Sequence, residues 1–223
     1  NPIFQSPSNH RYDTANYARI DPELGTEENF ASLVGALHEN GMRVMLDGVY
    51  NHASWQHPFW QDVLKNGEKS AYFDWFCGVS MEVLRGKTSK ELTADVMRGE
   101  KPFESFAFAA DMPKWNTENP AVQDYLIGTA AEWTRKYGVD AWRLDVPDEV
   151  SFRFLEHFKK RIRETNPEAY IIGEIWQKST AWLRAGVFDG AMDYPLYFAI
   201  RDFAMKRTDG VETFAERIKD VFL

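Results

Sequence analysis

The chain has 223 residues, a formal net charge of −8 and a sequence pI of about 5.2. This acidic balance argues against nucleic acid as a partner, because a phosphate backbone attracts basic proteins. A content of 44% hydrophobic and 15% aromatic residues is enough for a sizeable core. The single cysteine, Cys77, excludes an internal disulfide, and the chain has no apolar run of about 18 residues that would predict a membrane span.

The first part of the chain predicts one helix and one strand. Apolar residues recur at helical spacing between Thr26 and Gly41 and predict a helix over residues 27–39. A strand is predicted next, over residues 42–46. Residues 1–4 are interpreted as the tail of an earlier strand.

Residues 53–115 are irregular and rich in aromatic and turn residues, with helical patches near 58–65 and 92–98. A structureless loop of this length is rare inside a compact domain. We therefore predict that this segment is a small inserted domain with some structure of its own.

Regular alternation of helices and strands returns at Pro120 and predicts a parallel α/β sheet. The predicted helices cover residues 120–136, 150–164, 180–184, 196–206 and 211–222. Three strands are predicted: one that begins at Gly138, one over residues 169–174 and one over residues 187–192. Because an open parallel sheet exposes its edges, we expect this chain alone to be poorly soluble, oligomeric or dependent on further segments.

Two carboxylates, Asp145 and Glu174, lie near the ends of successive apolar runs, GVDAWRLDV and YIIGEIW. In a parallel α/β barrel the carboxyl ends of the strands open onto one face, where catalytic groups collect. Two carboxylates on consecutive strands could flank a single bond, as glycoside hydrolysis requires.

Arg143 lies two residues before Asp145, so both side chains point to the same face of a strand. The guanidinium is expected to keep Asp145 ionised as a nucleophile, and the apolar setting of Glu174 suits a general acid. The alternative is structural: Arg143 and Asp145 form an ion pair at a barrel rim, and Glu174 merely ends a strand.

The segment Asp47-Gly-Val-Tyr-Asn-His52 closes another predicted strand. Together with Trp142-Arg-Leu-Asp-Val146 and Gly173-Glu-Ile-Trp176, it resembles three signature segments of the alpha-amylase family, glycoside hydrolase family 13, in order and in approximate spacing. Met112-Pro-Lys-Trp-Asn116 is similar to the Met-Pro-Lys-Leu-Asn segment of the neopullulanase, cyclomaltodextrinase and maltogenic amylase subgroup. Residues 6–14 and 188–195 also look like that subgroup.

The resemblance runs from Pro2 to about Phe203 and implies part of a (β/α)8 TIM barrel with a small inserted domain after the third strand. Residues 1–52 would hold the end of strand two through strand three, and residues 53–115 the inserted domain. Residues 116–223 would hold strands four to six and the helices that follow.

The resemblance also implies roles for individual residues. Asp145 would be the nucleophile, and Glu174 the acid that later becomes the base. Arg143 would position Asp145, and Asp47 would brace the site. The implied sugar contacts are Tyr12, stacked under the ring on the non-reducing side, and His52, bonded to the hydroxymethyl group of that ring. Trp176 would line the next subsite, with Asp148 and Glu149 nearby.

No cofactor is required by this reading, although residues in the family position of Asn51 often bind a structural calcium ion. That ion prefers six to eight oxygen ligands, so one Asn is weak support. The family also uses a third carboxylate, in an Asn-His-Asp type of segment, and no such segment or Ser-His-Asp occurs here. We therefore expect a central part of a catalytic barrel that is inactive alone, with His10, His38 and His157 as surface or packing residues.

The predicted function is that of a retaining α-glucan hydrolase or transglycosylase that cleaves glucosidic bonds in oligosaccharides or cyclomaltodextrins. The predicted linkage is α-1,4, with α-1,6 left open by the sequence. One alternative is an oligo-1,6-glucosidase or another exo-α-glucosidase, which Lys114 disfavours. The other is a non-catalytic carbohydrate-binding or transporter-associated relative, which the presence of Arg143, Asp145 and Glu174 disfavours. The lone cysteine and the subgroup favour the cytoplasm, and the subgroup suggests a homodimer.

Overall fold

A computed structural model describes residues 1–100, 102–107 and 109–222 of the chain. The strands in this part are β1 (Phe4–Gln5), β2 (Asn16–Ile20), β3 (Met45–Gly48), β4 (Ala141–Leu144), β5 (Tyr170–Gly173) and β6 (Gly190–Ala191). β1 and β2 form a small antiparallel sheet. β3, β4, β5 and β6 lie side by side in sequence order and are all parallel, which is the arrangement that the alternating pattern predicted.

The helices are α1 (Glu27–Glu39), α2 (Pro58–Asn66), α3 (Met81–Leu84), α4 (Ser89–Met97), α5 (Pro120–Tyr137), α6 (Phe152–Thr165), α7 (Thr180–Arg184), α8 (Tyr194–Ile200) and α9 (Val211–Phe222). The predicted bounds of α1 are confirmed. Thr26 caps its first turn through a hydrogen bond from the backbone N–H of Asn29. α5 begins at Pro120 as predicted and ends at Tyr137. Gly138 caps it with a φ of 69°, which glycine adopts readily.

Three predicted strands are shorter in the structure. β4 begins at Ala141 rather than at Gly138, because Gly138 caps the end of α5 in a left-handed conformation. The other two are shortened for a common reason. β3 begins at Met45 rather than at residue 42, since the N–H of Val44 donates to the side chain of Asp140. β6 contains only Gly190–Ala191, and beside it the side chain of Asp189 accepts the N–H of Ile171. In both places a carboxylate takes a backbone hydrogen bond that a longer strand would have used.

The predicted helix over residues 196–206 also differs. α8 begins earlier, at Tyr194, because Asp193 accepts the N–H of Leu196 and Pro195 occupies the first turn. A π-helical turn then covers Arg201–Met205. α6 begins at Phe152, two residues later than predicted, since the hydroxyl of Ser151 caps it by accepting the N–H of Phe154.

The core is one continuous cluster of buried apolar side chains that joins the sheet, its helices and the irregular segment. Trp142 of β4 is fully buried, and Trp133 of α5 bonds through its indole N–H to the carbonyl of Tyr17. Trp60 and Trp115 extend the cluster into residues 53–115. That segment contains α2, α3 and α4, and its standing as a separate inserted domain stays a prediction.

Among the described residues, none of the helices combines the length and the apolar character needed to cross a bilayer.

Candidate active site

The register of the parallel sheet brings three carboxylates to one edge. Asp47 pairs with Arg143, and Leu144 pairs with Gly173. The ladder continues one residue further, because the N–H of Asp145 donates to the carbonyl of Gly48 at 3.0 Å and that of Glu174 to the carbonyl of Leu144 at 3.0 Å. Asp47, Asp145 and Glu174 are therefore buried together at the carboxyl ends of β3, β4 and β5.

One guanidinium binds all three of these carboxylates. Nη1 of Arg143 lies 2.6 Å from Asp47 and 3.0 Å from Asp145, and Nη2 lies 2.8 Å from Glu174. The sequence predicted the contact with Asp145 alone. The wider cluster places one positive charge against three carboxyl groups.

This imbalance changes the predicted protonation of Asp145. Burial raises the pKa of Asp145 to about 7, and the lowering by Arg143 is outweighed because the Glu174 and Asp47 carboxylates raise it further. Arg143 thus lowers the pKa of Asp145, as the sequence predicted, but burial and the neighbouring carboxylates raise it by more. Because these groups interact, a proton retained at this raised pKa belongs to the cluster rather than to Asp145 alone.

A cavity of about 490 Å³ opens beside these carboxyl groups. Of the residues predicted for the site, its lining contains Tyr12, His52, Arg143, Asp145, Glu174 and Trp176. Asp148, expected near the subsite of Trp176, also lines it. The lining residues that the sequence did not assign to the site are His10, Phe106, Met112 and Val146. A larger cavity, of about 800 Å³, lies between α8 and α9, and Trp176 lines both cavities.

Tyr12 and His52 are held by hydrogen bonds within the site. The hydroxyl of Tyr12 donates to Asp47 at 2.9 Å, and burial together with this carboxylate raises the pKa of Tyr12 to about 12. Burial lowers the pKa of His52 to about 4, so its imidazole is neutral at pH 7. Its Nε2 lies 3.0 Å from the carbonyl of Tyr12, which can only accept. The single ring N–H of neutral His52 thus donates to the carbonyl of Tyr12. The predicted hydrogen bond to a sugar hydroxymethyl group would require this N–H to be shared between the two acceptors.

Trp176 lies at the rim of the cavity rather than in the core. Its side chain is 60% exposed, and its ring stacks on Tyr194 with centroids 4.7 Å apart. Its indole N–H donates to Oε1 of Glu174 at 3.2 Å, and the hydroxyl of Tyr194 donates to the same oxygen at 3.3 Å. Tyr194 was missed as an individual residue, although it lies in the subgroup-like segment 188–195.

His10 is also placed at the site, against the expectation that it is a surface or packing residue. Its ring lies 6.2 Å from that of Tyr12 in a stacked orientation, and it lines the cavity. The only signal in the sequence was its place in the subgroup-like stretch over residues 6–14. Phe106 gave no signal, yet its ring stacks on His52 at 4.7 Å.

Glu149 does not line this cavity. It faces a neighbouring cavity, where its Oε2 lies 3.2 Å from Nζ of Lys114 and 3.4 Å from Nδ2 of Asn51. The geometry therefore does not support the predicted role of Glu149 as a sugar contact, and Asp148 lies in the site instead.

The surroundings of Asn51 do not fit the calcium ion that was expected there. Its Oδ1 is buried and has no hydrogen-bond partner among the residues that the structure describes, which would leave it available to a metal ion. The nearby carboxylate of Glu149, however, already faces the ammonium of Lys114. No group of three or more His, Cys, Asp or Glu side chains suited to a metal occurs in the described part of the chain, and calcium needs six to eight oxygens.

Comparisons with known proteins agree with this arrangement. The profile of the family described as "Alpha amylase, catalytic domain" matches residues 1–221. A cyclomaltodextrinase of a Bacillus species is 42% identical over 214 residues, which are 96% of this chain and 36% of that protein. An intracellular maltogenic amylase of Bacillus subtilis (strain 168) is 42% identical over 217 residues, or 97% of this chain and 34% of that protein.

The fold is similar to that of solved members of the same group. The structure of a cyclomaltodextrinase superposes with a TM-score of 0.87 at 41% identity, over 97% of this chain and 35% of that one. This chain thus spans about a third of the length of the curated relatives it matches. With its parallel strands and its cluster of carboxylates at their ends, the chain belongs to the alpha-amylase family and has the fold of part of that family's TIM-barrel catalytic domain.

Proposed function

We propose that the protein carrying this chain cleaves α-glucosidic bonds in glucans with retention of configuration. The observation that carries the proposal is the pair Asp145 and Glu174, which follow neighbouring parallel strands and contact one guanidinium at an aromatic-lined cavity. A retaining pair needs carboxyl groups about 5–5.5 Å apart. Binding to a single Arg143 side chain is compatible with such a spacing.

In the proposed first step, the carboxylate of Asp145 attacks the anomeric carbon and forms a covalent glycosyl intermediate. Glu174 gives its proton to the glycosidic oxygen, so the leaving sugar departs with a hydroxyl group. In the second step Glu174 takes a proton from water, which attacks the anomeric carbon and releases Asp145. Arg143 is proposed to offset the charge of Asp145 when the carboxyl group ionises.

The proton held by the carboxyl cluster fits this cycle. The reaction needs Asp145 ionised and Glu174 protonated. The pair then holds one proton in all, which is the number it holds when a single proton is shared between the two groups. Since burial and the neighbouring carboxylates raise the pKa of Asp145 to about 7, the free site would carry that proton below neutral pH. Its transfer to Glu174 in the substrate complex would bring both groups into their working forms.

The substrate is proposed to be an uncharged α-glucan. The rings of His10, Tyr12, Phe106 and Trp176 line the cavity, and aromatic faces are suited to the axial C–H groups of a glucose ring. The names of the relatives include cyclomaltodextrinase, maltogenic amylase and neopullulanase. We therefore propose cyclomaltodextrins, pullulan and starch oligosaccharides as candidates, and we extend to this protein the cytoplasmic location that one relative's name, intracellular maltogenic amylase, suggests.

The test uses the full-length protein, assayed on cyclomaltodextrin, pullulan and soluble starch. Glu174→Gln should abolish turnover of all three while binding is largely kept, because the amide cannot donate the proton. Glu168→Gln, which changes an exposed Glu six residues earlier, is the matched control and should remain active. The anomeric configuration of the first product, followed by NMR, should be α.

Other outcomes would change the assignment. A first product of β configuration would exclude the retaining mechanism. Release of single glucose units from short linear chains only would favour the alternative of an exo-α-glucosidase. Sugar binding without turnover by the unmodified protein would favour a non-catalytic relative.

A further inference from the structure

The residue after the proposed nucleophile has an unusual backbone conformation. Val146 has φ 44° and ψ 47°, in the left-handed region, where β-branched residues are rarely found. Such a conformation costs free energy and persists only where the surroundings hold it in place. Strain at this position therefore calls for a restraint nearby.

The conformation of Val146 has a consequence for the site. Its backbone N–H points at Oε2 of Glu174, at 3.4 Å, and its side chain lines the cavity. The turn thus links the strand end that carries Asp145 to the carboxyl group that is proposed to donate the proton. Relaxation of Val146 to an ordinary conformation would withdraw this N–H from Glu174.

The restraint lies in the 3-10 turn that follows, Pro147–Glu149. The N–H of Glu149 donates to the carbonyl of Val146 at 3.2 Å, which closes the turn. The carboxylate of Glu149 is fixed in turn, because its Oε2 accepts from Nζ of Lys114 at 3.2 Å and from Nδ2 of Asn51 at 3.4 Å. A side chain from another segment thus holds the far end of the turn.

Lys114 is well placed to act as an anchor. Its N–H donates to the carbonyl of Glu104 at 2.9 Å, and its carbonyl accepts the N–H of Cys77 at 3.0 Å. It also forms an isolated antiparallel bridge with His52, which follows β3. Its backbone is therefore held within the segment 53–115 and against the barrel, and its side chain, only 19% exposed, crosses to Glu149.

We infer that Lys114 is a positioning residue for the proposed reaction: by holding Glu149 it keeps Val146 in its left-handed conformation and the N–H of Val146 on Glu174. The inference deepens the proposed function and rests on the role of Glu174 in it. In this arrangement the ammonium of Lys114 lies beside Asn51 and Glu149, where a calcium ion was expected.

Kinetics of the full-length protein provide the first test. Lys114→Met should lower kcat by about tenfold or more while KM changes by less than about twofold, since the turn positions the proton donor rather than the sugar. Lys114→Arg, which can still reach Glu149, should restore most of the lost kcat. The matched control is Lys136→Met, which removes a similar ion pair, with Glu27 at 2.9 Å, far from the cavity. An equal effect of both methionine variants would overturn the inference.

A double-mutant cycle tests the link to backbone strain. Glycine adopts positive φ without steric cost, so in a Val146→Gly background the turn needs less support. Lys114→Met should then lower kcat by a clearly smaller factor than it does in the unmodified protein. The same factor in both backgrounds would show that Lys114 does not act through the conformation of Val146.

Hydrogen exchange followed by mass spectrometry gives a readout that does not depend on activity. In Lys114→Met, a peptide covering residues 145–151 should exchange faster than in the unmodified protein, and a peptide from α5 should not. Unchanged exchange in residues 145–151 would contradict the inference even if turnover fell. If the unmodified protein cleaved none of the glucans, the proposed function would fail while this comparison still decided whether Lys114 holds the turn.

Discussion

Replacing Asp145 with asparagine is expected to stabilise the protein above neutral pH while it removes the proposed nucleophile. The folded protein keeps a proton near Asp145 that the unfolded chain loses at a lower pH. Its pKa rises from 3.8 to about 7 on folding, because burial and the carboxylates of Glu174 and Asp47 outweigh the effect of Arg143. Asparagine has the shape of the protonated acid and does not ionise.

The sign and size of the effect follow from linkage. Between about pH 4 and pH 7 the folded state binds more protons than the unfolded state, so stability falls as the pH rises through this window. Each pH unit between the two pKa values, 3.8 and about 7, lowers the free energy of unfolding by about 1.36 kcal/mol. Above about pH 7 the total loss is therefore on the order of 4 kcal/mol. The gain from Asp145→Asn should therefore be up to about 4 kcal/mol at about pH 8 and roughly a third of that at about pH 5.

Urea denaturation followed by tryptophan fluorescence at a series of pH values would measure this gain. Asp189→Asn is a control of opposite sign. Burial alone would raise the pKa of Asp189, but hydrogen bonds from Lys159, the N–H of Ile171 and Arg163 lower it overall. That variant should therefore lose stability at neutral pH and recover it towards acid pH. If Asp145→Asn destabilised the protein at pH 8, or its effect did not change with pH, the assigned charge imbalance would be refuted.

Three further outcomes are expected. The imidazole of His52 should not titrate between about pH 5.5 and 8 by NMR, because burial lowers its pKa to about 4, and a midpoint near 6.5 would contradict this. Tyr12→Phe should cost about 1–2 kcal/mol in denaturation experiments, since it removes the hydroxyl bonded to Asp47, with little change in KM because the ring remains. Gly173→Ala should lower stability by about 1–3 kcal/mol, because an added Cβ would lie 2.5 Å from the ring of Phe188, and an unchanged Tm would refute this packing.

The sequence predicted the parts of the fold that depend on local signals. Thr26 as a cap and Pro120 in the first turn mark helix starts, and these starts are confirmed. The alternation after Pro120 predicted a parallel sheet, and the carboxylates at the ends of two strands were placed together by its register. Such features can be predicted because they depend on residues close together in the sequence or on the two-residue period of a strand.

The features that were missed depend on contacts between residues far apart in the chain. Asp140 and Asp189 shorten β3 and β6 by accepting backbone N–H groups, and neither contact has a local signature. Phe106 reaches the site from a segment without periodicity and stacks on a residue more than fifty positions earlier. The raised pKa of Asp145 could not be predicted either, because it depends on the sum of charges that three strand ends bring together.

Arg143 joins those three strand ends, so its replacement by lysine tests the charge balance of the whole site. The guanidinium uses two nitrogens to contact Asp47, Asp145 and Glu174, whereas a single ammonium cannot reach all three in this geometry. Arg143→Lys thus keeps the charge but leaves at least one buried carboxylate without its partner, a loss that costs about 3–5 kcal/mol. The loss should be greater at about pH 8 than at about pH 5, because an unpaired buried carboxyl group takes up a proton. A loss that is equal at both pH values in denaturation experiments would mean that Arg143 stabilises the site by packing rather than by charge.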